Sequence, residues 1–153
     1  MREEEGTSHT INERVQRVQE NIIGNEALGG SLDESAANEM LSWGLKSAED
    51  IASSTEGMDD ETAELSMADY LKALRKLMRH LGRLLGEGLD MDTEGRQWLW
   101  DSVQKHARLL YGESIQFPKL EAVMGWLSGG ESPGQIIARL RNTFEDKNTG
   151  KQE

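Results

Sequence analysis

A chain of 153 residues with 36% hydrophobic side chains and a net charge of −11 is long enough for one domain with a real core. The absence of cysteine excludes disulfides, zinc thiolates and thiol nucleophiles. No apolar run approaches the ~20 residues of a membrane span, and the acidic start MREEEGTSH does not read as a signal peptide, so no membrane partner is expected and no compartment is indicated.

Residues 1–9 read as a flexible tail. Thr10 and Glu13 have capping-box spacing, and Ile11, Val15, Val18 and Ile22 then line a helix ending near Gly24. Gly29 and Gly30 break the chain. Ser31 with Glu34 forms a second capping box and opens a helix to about Ser54. Its predicted inward side is Ala37, Met40, Leu41, Gly44, Leu45, Ala48, Ile51 and Ala52. The run STEGMDD is a turn, and Asp59 or Asp60 can cap the central helix.

The central stretch, Met67 to Leu89, has two unlike sides. Met67, Tyr70, Leu71, Leu74, Leu77, Met78, Leu81, Leu84 and Leu85 follow the 3-4 spacing of a buried face. Lys72, Arg75, Lys76, Arg79 and Arg83 share a stripe on the opposite side, at about 100° per residue. Gly86 and Gly88 end this helix. The next runs from Asp92 to Tyr111, with Leu99, Val103, Ala107 and Leu110 inward, and Gly112 stops it. A fifth spans Pro118 to Leu127, with Leu120, Val123, Met124 and Leu127 inward. Ser132, Pro133 and Gln135 start a sixth, with Ile136, Ile137, Leu140 and Phe144 inward. Residues 146–153 read as a second flexible tail. The sum is an all-α bundle of about six helices over residues 10–145, built around a long antiparallel helical hairpin.

Charge is unevenly distributed. Ser31 to Asp69 carries eleven acids against the single base Lys46, whereas Tyr70 to Leu89 carries five bases and only Glu87. Such an acidic block and basic stripe can satisfy each other, within one chain or between two copies. An acidic protein repels nucleic acid at long range, so nucleic acid is not the expected partner.

No constellation identifies a reaction. His9, His80 and His106 lack metal-ligand spacing, and no GxSxG, P-loop or GxGxxG occurs, so no enzyme activity and no cofactor are expected. One loop has a chemical pattern: Asp90, Asp92 and Glu94 at alternate positions, Gly95 next, and Asp101 at the twelfth place, as in an EF-hand calcium loop. The plainer reading is a hairpin tip in which Asp92 caps the following helix. Of the four tryptophans, Trp98 and Trp100 point to different faces of one helix, so at least one should meet a partner or another helix.

Gly86-Glu-Gly-Leu-Asp-Met-Asp92, then Arg96, Leu99 and Trp100, Leu109-Leu-Tyr-Gly112-Glu113, and Trp126-Leu-Ser128 resemble the core (capsid) proteins of hepatitis B-like viruses and their non-enveloped fish relatives. That resemblance implies a hairpin of Asp60–Leu85 and Asp92–Tyr111, dimerisation by pairing of two hairpins, and a shell contact through Trp126. Ala122 to Phe144 is also locally similar to the last helices of the carotenoid-binding domain of orange carotenoid proteins. The leading expectation is therefore a self-associating structural protein whose interface is Leu74, Leu77, Leu81, Leu84, Trp98, Trp100 and Trp126. Alternatives are an acidic helical adaptor binding a protein through the basic stripe, and a calcium-binding module.

Overall fold

The computed structural model describes residues 12–20 and 32–145, and the tails and the Thr10 cap lie outside those residues. Among the described residues the chain is all helical: α1 (residues 12–20), α2 (Glu34–Ser53), α3 (Asp60–Glu87), α4 (Thr93–Tyr111), α5 (Leu120–Ser128) and α6 (Pro133–Glu145), with a 3-10 turn at Gly88–Asp90.

Three of these helices start in the same way. Asp33, Asp59 and Asp92 each sit in extended backbone and accept a hydrogen bond from the amide of Ala36, Thr62 and Gly95 respectively, at 2.7–2.8 Å. An aspartate in this place satisfies one of the four amides that a helix start leaves open. The bonds from Thr62 hold the Asp59 carboxyl below its ordinary pKa. Helix α2 thus begins at Glu34, two residues later than a Ser31 cap would start it, with Asp33 as its cap. Helix α6 has the reciprocal capping box: the Ser132 amide donates to Gln135 Oε1 at 3.1 Å and the Gln135 amide to Ser132 Oγ at 3.2 Å. Helix α5 starts at Leu120, after Pro118, with no side-chain cap.

Among the described residues, helices α3 and α4 make the most extensive contact. They run antiparallel: Arg96 meets Gly88 near the turn and Ser102 meets His80 further down. Arg96 fixes the turn itself, donating to the carbonyls of Gly88 (2.6 Å) and Leu89 (3.3 Å). Gly112, at φ 110°, ends α4 in a conformation that side chains with a Cβ rarely adopt. The remaining helices close over the pair, with α2 against α3 and α6, and α5 against the 3-10 turn, α4 and α6.

The core is one continuous cluster. In α2 the buried side is Ala36, Met40, Trp43, Gly44, Ser47, Ala48, Ile51 and Ala52. Ala37, Leu41 and Leu45, expected inward, sit half-buried at its flank because the buried arc is rotated toward Trp43. Trp43 donates its indole N–H to the Tyr111 hydroxyl at 2.8 Å, and Ser47 Oγ lies 3.1 Å from the same oxygen. Burial raises the Tyr111 pKa, so the phenol stays neutral. Phe144 lies among Trp43, Tyr111 and Phe117, with ring centroids at 5.8, 6.3 and 5.4 Å. This aromatic group ties α2, α4, α6 and the segment after Gly112 together.

Helix α1 is held by Arg14, whose guanidinium is buried. It donates to the Thr55 carbonyl and hydroxyl (2.9 and 2.8 Å), the Met58 carbonyl (3.0 Å) and Asp60 (3.0 Å). A charge taken out of water needs this full set of acceptors.

The expected dimer interface is corrected here. Leu74, Leu77, Leu81 and Leu84 have no solvent exposure within a single chain, and Trp100 has 1%. The apolar side of α3 is covered by the chain's own helices, so these side chains are core. Trp126 is half-buried, with the Arg139 guanidinium 4.1 Å from its ring centre. Of the tryptophans proposed as contacts, Trp98 is the one left largely open, at 62%.

Candidate functional site

The open side of α3 and α4 gathers the unexplained features. Lys72, Lys76, Arg79 and Arg83 are exposed along α3, with Arg75 half-buried beside them, as the stripe spacing requires. Trp98 and Lys105 are exposed on α4, at positions that share one flank of that helix with Leu109, which is 56% exposed. An open groove of about 330 Å³ between the two helices is lined by Lys76, His80, Trp98, Asp101, Ser102, Lys105 and His106.

The antiparallel register creates a cluster that linear spacing hides. His80 Nδ1 lies 2.6 Å from Ser102 Oγ, and His106 Nδ1 lies 2.8 Å from the Ser102 carbonyl and 3.3 Å from its hydroxyl. A carbonyl only accepts, so His106 carries its proton on Nδ1 when neutral. The two imidazole centres are 6.5 Å apart, and His80 meets the Trp98 ring edge-on at 5.1 Å. Once the turn is placed at residues 88–92, positions 80 and 102 fall opposite each other; that register is the signal from which the cluster can be read.

Burial, then the positive charge of His106, Arg79, Lys76 and Arg83, holds the His80 pKa below its ordinary value of 6.5. The unfolded chain therefore binds this proton more readily than the fold does. The stability contributed by neutral His80 is present above pH 6.5 and lost as pH falls through the lowered folded value. Thermal melts at pH 7.5 and 5.5 should show the wild type losing more on acidification than His80→Gln; equal losses would contradict the shift.

A serine beside an imidazole suggests a nucleophile, but Ser102 sits in the middle of α4, where backbone amides are engaged in the helix ladder. No amide pair is left there to stabilise an oxyanion. The surrounding lysines and arginines also disfavour a divalent cation at the histidines. The groove sets two ammonium groups, Lys76 and Lys105, and one carboxylate, Asp101, beside an indole.

The EF-hand-like loop is corrected by its backbone. Helix α4 already begins at Thr93, so Glu94 and Gly95 lie in its first turn, and Asp92 is occupied as the cap. Asp101 lies about 13 Å further along the helix axis and accepts from Gln97 at 2.8 Å. Asp90 is in the 3-10 turn. These four carboxylates do not wrap one centre, and no group of three or more metal-ligating side chains converges among the described residues.

No helix among the described residues is long and apolar enough to cross a membrane. Comparison of the chain with protein-family models, curated proteins and solved structures gave no match.

Proposed function

We propose that the protein is a non-enzymatic association module that docks the outer face of the α3–α4 pair onto a protein surface carrying acidic groups. The observation that carries this reading is Trp98, 62% exposed and held against His80 in a groove it shares with Lys76 and Lys105. A large indole left in water and backed by a rigid helix pair is the kind of side chain that dominates binding energy at interfaces. Cations around it steer an acidic partner and set its orientation. The net charge of −11 opposes approach of a uniformly anionic phosphate backbone, whereas a protein can present acidic groups locally on a surface of mixed charge.

The test is a photo-crosslinking phenylalanine derivative placed at position 98 of the full chain in its native cells. A discrete protein adduct is expected, and the pair Lys76→Glu with Arg79→Glu should remove it. No adduct, or one indifferent to the charge reversal, would end this reading.

A further inference from the structure

We propose that the occupant of this face is a second copy of the chain, lying antiparallel along α3 so that the acidic half of each helix meets the basic half of the other. This rests on the α3–α4 face being an association surface and goes on to name the partner.

The outward line of α3 reads Glu61, Leu65, Asp69, Lys72, Lys76, Arg79, Arg83, and all seven are exposed. At about 100° per residue they fall within roughly 80° of arc. As far as Arg83 the sign of the charge changes once, between Asp69 and Lys72; Glu87, the last residue of the helix, pairs with Arg83. Glu61 and Arg79 are separated by about 27 Å along the helix, more than three screening lengths of about 8 Å at physiological salt. One molecule cannot bring them together. Glu61, Asp69, Lys72, Lys76 and Arg79 make no ion pair among the described residues, whereas Glu64 pairs with Arg17 and Arg83 with Glu87.

Reversing the helix direction inverts the order of charges. A two-fold axis beside position 70 puts Glu61 opposite Arg79 of the second copy and Asp69 opposite its Lys72. The same register lays Leu65, 70% exposed, on the aliphatic stem of Lys76. Each contact then occurs twice, as a two-fold interface requires. A parallel pair would set like charges face to face. A uniformly acidic partner would satisfy Lys76 and Arg79 but repel Glu61 and Asp69. A surface with base and acid in reversed order matches the whole line, and a second copy carries that surface.

The experiment is sedimentation velocity of the full chain over a concentration series at low and physiological salt. Wild type should show a concentration-dependent dimer. Glu61→Arg and Arg79→Glu should each weaken association at least tenfold, because each creates two like-charge contacts per dimer. An equimolar mixture of the two variants should dimerise again, since both contacts are then complementary, and so should the chain carrying both substitutions. Both positions are exposed, and unchanged helical circular dichroism verifies the fold. Wild type that stays monomeric throughout, variants that dimerise like wild type, or a mixture that fails to recover would each overturn the proposal. A monomer that still forms a charge-sensitive adduct with another protein at position 98 would sink the second copy while leaving the association surface standing.

Discussion

Truncating Phe144 to alanine is expected to lower the unfolding free energy by about 3–5 kcal/mol, the range for deleting a buried aromatic. The ring has no exposure and lies among Trp43, Tyr111 and Phe117, which belong to different parts of the chain. Its loss leaves a void bounded by rigid rings that cannot all move inward together. For a domain whose total stability is of the order of 5–15 kcal/mol, the change is large enough to read in urea or heat denaturation. A loss below about 1 kcal/mol would mean that α6 is not fastened to α2 and α4 through this residue.

Leu81→Ala should have an effect of about 2–5 kcal/mol on folding and none on association. Leu65→Ala should leave folding within about 0.5 kcal/mol of wild type. The two leucines lie on one helix, but Leu81 has no exposure and Leu65 has 70%. Chemical denaturation of each variant, with its sedimentation under native conditions, separates a core leucine from a surface one. If Leu81→Ala instead left the fold intact and dissociated an oligomer, the enclosure of the α3 apolar side by its own chain would be wrong.

That enclosure is what the sequence leaves open. The spacing from Met67 to Leu85 says that one side of α3 must be covered, because so many leucines in water would be unfavourable. It does not say what covers it. Short amphipathic segments such as α5 and α6 look too small one at a time, yet α2, α4, α5 and α6 together with the 3-10 turn form a single core with it. Capping chemistry, by contrast, is local, so Asp59 and the Ser132–Gln135 box are readable from a few residues. The shift from Ser31 to Asp33 at α2 shows the ambiguity when two capping residues stand close together.

The calcium-like loop misleads for a related reason. Acidic residues at alternate positions followed by glycine also describe an aspartate cap and an acidic first helical turn. Only the backbone path distinguishes them, and here it turns helical at Thr93. The His80–Ser102–His106 group was hidden because 22 residues separate its first two members in the chain, and only the hairpin register brings them together.

Arg14 imposes an order on assembly. Its acceptors lie 41 to 46 residues further along the chain, in a turn that does not exist until α2 is complete and α3 has begun. During synthesis α1 must therefore wait, its guanidinium still in water, until Asp60 has been made. Docking of α1 through Arg14 thus depends on the α2–α3 turn alone and is open to the chain before α4, α5 and α6 have been translated.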